Sequence, residues 1–178
     1  MAQAVDAKQQ AATVTAHQIN IQVAKQLANL VRSTLGPYGM DKEMVDAAGE
    51  VVMTNDGATI LKATKLGHPT AKIITEVART QEENCYDGTT SSVVITGELM
   101  DKASGLLDKN IHPTRIAKGY VMANRKAQEC LKEISITVND ELLLAVANTA
   151  MTGKSVESEQ DALAKIALAV VKSTTLDN

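Results

Sequence analysis

The sequence predicts a mainly α-helical protein with one or two short β-hairpins, and three observations predict it. Apolar residues recur at helical spacing over most of the 178 residues. Aromatic residues are nearly absent, with three Tyr and no Phe or Trp. The core must therefore be built from Ala, Val, Ile, Leu and Met, a set rich in good helix formers. Finally, the few β-branched runs do not alternate with helices in β-α-β order, which argues against Rossmann and P-loop folds.

The polar, Ala/Gln-rich start, Met1 to Thr13, reads as a frayed terminus. It has neither the basic flank nor the apolar stretch of a signal peptide. A first helix is expected from about Thr15 to Leu35, with Ile19, Val23, Leu27, Leu30 and Val31 on its apolar stripe. Gly36-Pro37 stops it, because proline disfavours helix at the preceding residue. Val51 to Thr54 is short and largely β-branched. Asn55-Asp56-Gly57 and then Ala58 to Leu61 follow it, as a small hairpin or a strand–turn–helix. Met44-Val45 with Val51-Val52, around Gly49, makes a second possible hairpin.

Helix resumes at Pro69, a favourable first-turn residue, and runs to about Asn84. Asp87-Gly88-Thr89-Thr90 interrupts it, and a further helix extends from near Thr90 to about Asp108. Pro113 opens another, with Ile116, Tyr120, Ala123, Ala127 and Leu131 on one stripe. Asn139 or Asp140 can cap a helix reaching Met151. Thr152-Gly153-Lys154 breaks it. Ser155 or Ser158 is expected to cap a last helix through Leu163, Ile166 and Val170, before a polar tail from Ser173.

Composition narrows the function classes. A chain of this length buries roughly 70 % of its unfolded surface, so a real core is possible. Hydrophobic residues make up 44 % and charged residues 22 %, ordinary for a globular protein. A net charge of −3 gives no electrostatic reason to expect nucleic acid. No apolar run approaches the roughly 20 residues of a membrane span. Cys85 and Cys130 fit neither a metal-binding spacing nor a disulfide framework, which implies a reduced, intracellular setting. His17, His68 and His112 are far apart and precede or sit in helices, so capping or a solvated face explains them better than metal binding.

Three loops place Gly beside Asp, Thr or Lys where helices begin or end: Leu35 to Lys42, Thr54 to Ile60, and Asp87 to Ser92. The third is the most suggestive. Gly88 permits close approach to the backbone. Thr89, Thr90, Ser91 and Ser92 open a helix, with four unpaired amides and four hydroxyls expected to face outward, an arrangement that attracts phosphate oxygens. Asp87 could hold Mg²⁺, which takes one or two carboxylates together with phosphate oxygens. By spacing alone, helix capping is the commoner use of Asp87 and Thr89. Likewise Asn55-Asp56-Gly57 alone is an ordinary turn, and Gly36-Pro37 alone a helix stop. The standard nucleotide fingerprints, G-x-x-x-x-G-K-[ST] and G-x-G-x-x-G, are absent.

In this order and spacing the loops resemble the N-terminal half of group II chaperonins, the archaeal thermosome and eukaryotic TCP-1 ring type. Leu35-Gly36-Pro37-Tyr38-Gly39-Met40-Asp41-Lys42 resembles that family's LGPxGMDK, and Thr54 to Leu61 its TNDGATIL. His68-Pro69-Thr70-Ala71-Lys72 resembles HPAAK, Asp87 to Thr90 resembles GDGTT, and Asn110 to Tyr120 resembles NIHPxxIxxGY. Thr152-Gly153-Lys154 is similar to the segment that enters the family's intermediate domain. The likeness runs from about Thr13 to Val171. The bacterial group I proteins share GP.G and GDGTT but neither GMDK nor NIHP.

The resemblance implies a helical equatorial-domain-like bundle over residues 1–138 and the first helices of an intermediate domain over 139–178. It implies ATP and Mg²⁺ as cofactors. Leu35, Gly36 and Pro37 would line the nucleotide, Gly88, Thr89, Thr90 and Ser91 would cradle phosphates, and Asp87 would bind Mg²⁺. Asp56 would help to position the attacking water as the catalytic residue, and Lys154 would stand near the terminal phosphate. The stretch from Met44 to Met53 would be a stem-loop pairing with a neighbouring subunit. The implied partners are other chaperonin subunits in a ring, together with unfolded protein clients. Those clients bind an apical domain that, like the C-terminal equatorial segment, the 178 residues do not include. Because catalysis needs water, Mg²⁺ and phosphate held together, these residues alone are expected to have negligible ATPase activity and to self-associate through uncovered apolar surface.

The sequence departs from the family at two positions: Tyr86 stands where Gly precedes the Asp of GDGTT, and Tyr38 where Lys or Arg is usual. If position 86 needs a positive φ, Tyr86 strains the backbone, and its ring could crowd the phosphate site. The competing reading is therefore a non-catalytic interaction or capping module, derived from a chaperonin, that has lost its ATP chemistry.

Overall fold

The computed structural model describes residues 2–45, 49–64 and 66–175. In chain order the elements are α1 (Ala2–Arg32), β1 (Lys42–Val45), β2 (Val51–Thr54), α2 (Gly57–Ala63), α3 (Pro69–Cys85), α4 (Thr89–Leu107), α5 (Pro113–Ile134), α6 (Asp140–Met151), a 3₁₀ turn (Glu157–Glu159) and α7 (Gln160–Thr175). They form two compact units, one reaching Tyr120 and the other starting at Val121.

The first unit is built on α1 and α4, which run antiparallel. Lys25 on α1 pairs with Asp101 on α4 at 2.7 Å, and Arg32 pairs with Glu98. Both pairs are exposed and contribute little stability; they mark the register. The packing between them is close because small residues meet. A Cβ on Gly97 would lie 2.2 Å from the Ala28 Cβ. Ala24, Leu27 and Val31 of α1 then join Ala58, Ile60 and Leu61 of α2, Ala71, Ile74 and Ala78 of α3, and Val93 and Val94 of α4 in one core free of aromatics.

The α1 face differs from the expected stripe. Leu27 and Val31 are buried, but Ile19 is exposed, Val23 and Leu30 are only partly covered, and Ala24 and Ala28 lie at the centre of the contact. Counting large apolar residues favours the wrong edge of a helix whose buried face is made of alanine. Helix also extends back to Ala2, through the segment expected to fray; Ala and Gln both favour helix.

β1 and β2 form the second of the two expected hairpins, antiparallel, with Val45 opposite Val51 and Met44 opposite Val52. Residues 46–48 of its turn lie outside the described residues. After β2 the chain makes a strand–turn–helix, not a second hairpin.

Two His-Pro-Thr sequences start helices. The His68 ring Nδ1 accepts the Thr70 N–H at 3.2 Å, and the His112 Nδ1 accepts the Thr114 N–H at 3.3 Å. Asn110, at φ 59°, supplies the left-handed turn that ends α4. The HP and NIHP motifs thus have structural work in helix boundaries. Near the start of α5, Ile116 is buried and the Tyr120 hydroxyl donates to the Leu99 carbonyl at 2.6 Å.

In the second unit α6 and α7 run antiparallel. Asn148 donates to Asp161 at 2.9 Å, and Lys172 pairs with Asp140. The Asn139 side chain accepts the Leu142 N–H at 2.8 Å and caps α6, as expected. Neither serine caps α7. A 3₁₀ turn containing Ser158 precedes that helix, without a side-chain cap of its own. Ser173 to Thr175 continue α7 where a polar tail was expected; residues 176–178 lie outside the described residues. Ala123, Ala127 and Leu131 of the α5 stripe are exposed, as are Ile134, Ile136, Ile166, Val170 and Val171.

Two outcomes follow from this packing. Gly97→Ala should destabilise the fold by about 2 kcal/mol through overpacking. Ala28→Gly should cost less in the Gly97→Ala background than in the wild type, a coupling measurable as a double-mutant cycle in urea. The exposed apolar residues should drive self-association; a monomer in sedimentation velocity at all concentrations would contradict that.

Candidate functional site

The antiparallel pairing of α1 with α4 sets the geometry. It brings the end of α1, and with it Leu35-Gly36-Pro37, to the end of the bundle where α4 begins. Gly36 has φ 85°, the Gly39 N–H donates to the Gly36 carbonyl at 2.9 Å, and the Met40 N–H returns to the Ser33 carbonyl at 2.8 Å. This folds the loop back over the last turn of α1. Leu35, Gly36 and Pro37 are exposed.

Asp56 caps α2. Its Oδ2 accepts the Thr59 N–H at 2.7 Å. Its Oδ1 accepts the hydroxyl of Thr89, the first residue of α4, at 3.2 Å. Beside that bond, α2 and α4 touch through backbone. A Cβ on Gly57 would lie 2.7 Å from Thr90 Oγ1 and 3.1 Å from the Thr90 Cα and N. Only glycine permits this approach, so the second and third loops form one structure. Burial would raise the Asp56 pKa, but hydrogen bonds from Thr59, Thr89 and the Ala58 amide outweigh it and hold the carboxyl below its usual value.

The start of α4 differs from the expectation in two respects. Thr89 and Thr90 are buried, not turned outward, and the Ser92 hydroxyl donates to the Thr89 carbonyl at 2.8 Å. The Ser92 N–H donates to the Gly88 carbonyl at 2.9 Å. The open donors are therefore the amides of Thr89, Thr90 and Ser91. Gly88, at φ 76°, offers no side chain to cap them. In contrast, α2, α3, α5 and α6 are capped by Asp56, His68, His112 and Asn139.

Asp87 is exposed, and its Oδ1 accepts the Gly88 N–H at 2.7 Å. A contact invisible in the sequence supports the loop from α3: Gln81 Nε2 donates to the Asp87 carbonyl at 2.9 Å. Tyr86 takes the left-handed conformation, φ 56° and ψ 9°, at the C-cap of α3. The residue is 87 % exposed, so its cost lies in the backbone and not in packing against the loop. Lys154 belongs to the second unit, in the turn after α6, where its N–H donates to the Met151 carbonyl at 3.2 Å.

Among the described residues no three His, Cys, Asp or Glu side chains cluster as a metal site, and no helix is long and apolar enough to cross a membrane. One carboxylate beside three open amides is too little for a protein-only cation cage. It suits a cation that arrives with phosphate oxygens of its own.

The Asp56 environment carries a pH dependence. A depressed folded-state pKa adds stability above the unfolded value, about 3.9, and that stability is lost as pH falls through the folded value. Asp56→Ala should cost about 1 kcal/mol at neutral pH, and the deficit should shrink below about pH 4. Denaturant titrations at both pH values check this; an undiminished deficit in acid would show that the charge plays no part.

Residues 27–178 match the TCP-1/cpn60 chaperonin family. The chain is 52 % identical over 160 residues to a thermosome subunit of Pyrococcus horikoshii, covering 88 % of this chain and 29 % of the relative. It is 53 % identical over 160 residues to thermosome subunit beta of Archaeoglobus fulgidus, again covering 88 % and 29 %. Against thermosome subunit beta of Methanothermobacter thermautotrophicus the identity is 51 % over 163 residues, covering 91 % and 30 %. The chain thus spans about three-tenths of the length of the curated relatives it matches. On the family match and these identities together, the chain belongs to the TCP-1/cpn60 chaperonin family, on its group II, thermosome side.

Proposed function

We propose that this chain carries the phosphate- and Mg²⁺-binding part of the ATP site of a cytoplasmic chaperonin subunit. In the whole protein, a ring of such subunits would couple ATP hydrolysis to the folding of unfolded proteins. The observation that carries this reading is the uncapped start of α4, locked against the Asp56 turn by the Thr89 hydrogen bond and the Gly57–Thr90 contact. Glycine at the cap forgoes only about a few tenths of a kcal/mol relative to Ser, Thr, Asn or Asp, and a bound phosphate satisfies the same open donors.

Chemistry supports several of the roles that the resemblance implies. The amides of Thr89, Thr90 and Ser91, made approachable by Gly88, would hold phosphate oxygens. Asp87 Oδ2 would face Mg²⁺, which supplies charge neutralisation at the phosphates when bound. Asp56 would stay ionised at neutral pH, so it would orient a water as an acceptor; a carboxyl with a lowered pKa is a weak base. Leu35, Gly36 and Pro37 would form a wall of the nucleotide pocket. That wall, and Lys154 near the terminal phosphate, are assigned on resemblance alone. The residues contributed by the rest of the family's length are needed for turnover, so ATPase activity of this chain should be negligible.

The left-handed Tyr86 is the observation that favours a second reading, a non-catalytic interaction or capping module. Calorimetric titration of Mg-ATP into the wild type and Tyr86→Gly separates the two. We expect weak binding by the wild type, with Kd near about 1 mM. Tyr86→Gly should stabilise the fold by about 1 kcal/mol with little change in affinity, because the ring is solvent-facing. Binding by the glycine variant alone would instead identify a subunit that has lost its ATP chemistry. Binding by neither would refute a working phosphate site in this chain.

A further inference from the structure

The Asp87–Gly88 loop presents its carboxylate and opens α4, yet it is exposed and its backbone alone does not fix it. Two left-handed residues, Tyr86 at φ 56° and Gly88 at φ 76°, flank Asp87. The Tyr86 N–H donates to the Glu82 carbonyl at 2.9 Å, which ties the loop to α3 on one side. The second tie is a side chain. Gln81, one turn earlier on α3, donates its amide Nε2 to the Asp87 carbonyl at 2.9 Å. The same nitrogen lies 3.2 Å from where a Cβ on Gly88 would stand. The carboxamide therefore occupies the space that glycine leaves at position 88, and it holds the peptide whose amide, Gly88 N–H, orients Asp87 Oδ1 at 2.7 Å.

We propose that Gln81 is a positioning residue for the proposed phosphate and Mg²⁺ site. By holding the Asp87 carbonyl it fixes the 87–88 peptide, and through it the Asp87 carboxylate. The role rests on the site reading given above. Gln81 has the right chemistry for it: a neutral donor long enough to reach a carbonyl six residues on, with no charge to compete for Mg²⁺. Glutamate in its place has the same shape but no donor, and it would set a carboxylate against the Asp87 carbonyl.

Gln81→Glu and Gln81→Ala test this, since both replacements favour helix and leave α3 intact. Two measurements are needed. Amide hydrogen exchange by NMR at Gly88 and Thr89 reads the loop without ligand. Calorimetry with ATP, in Mg²⁺ and in EDTA, reads the site. We expect a fall of no more than about 2–4 °C in thermal midpoint, about tenfold faster exchange at Gly88, and about tenfold weaker binding in Mg²⁺, the size of one lost hydrogen bond. Affinity of Gln81→Ala in EDTA should change little, because Asp87 acts through the metal; a general structural defect would weaken both. Unchanged Gly88 exchange and unchanged Mg-ATP affinity in both variants would overturn the positioning role and leave the site reading standing. Absence of ATP binding by the wild type would overturn the site reading and this role with it, even where Gln81 is found to hold the loop.

Discussion

The fold depends on how closely its helices approach without aromatic side chains to space them. Ala24 and Ala28 on α1 meet Gly97 on α4 at a separation that admits no further carbon. Dispersion falls steeply with distance, so a core of small residues is worth having only if its backbones come together. That constraint fixes the register of α1 against α4, marked by Lys25–Asp101 and Arg32–Glu98. The register in turn places the end of α1 and the start of α4 at one end of the bundle.

The same economy of side chains recurs at the site. Gly57 lets the first turn of α2 rest on Thr90, and the Thr89 hydroxyl reaches Asp56. Two loops separated by more than thirty residues are thereby joined. The Asp56 carboxyl then serves three purposes through two oxygens. It caps α2, ties α2 to α4, and stays ionised because the donors around it outweigh the cost of burial. A side chain so committed keeps a fixed orientation, as the proposed water-positioning role requires.

Much of this was legible in the sequence because the signals were local. Pro69 and Pro113 open helices, Asn139 caps one, and Asp-Gly after a β-branched run turns the chain into α2. Other features depended on contacts that spacing does not encode. The alanine face of α1 was invisible to a count of large residues, and the hydroxyls of Thr89 and Thr90 could not be known to turn inward until α2 was in place. Gln81 carries no signature at all, since a glutamine on a helix surface is ordinary until the loop six residues on is seen to bend back to it. The 3₁₀ turn before α7 was missed because Ser155 and Ser158 both look like caps.

Tyr86 shows how the structure distributes strain. The left-handed turn after α3 is demanded by the loop: without it the chain could not reverse from the end of α3 into α4 within three residues. Glycine would adopt it freely, whereas tyrosine does so at a cost of about 1–2 kcal/mol. The ring gains little in return, being solvent-exposed and without a hydrogen bond of its own among the described residues. The cost is met locally by the Tyr86–Glu82 backbone bond and the Gln81–Asp87 bond, which hold the turn from both sides. A loop over-determined in this way keeps its geometry despite an unfavourable residue. The strain is thus confined to the Tyr86 backbone, while the start of α4 is held separately, by the Thr89–Asp56 bond and the Gly57–Thr90 contact.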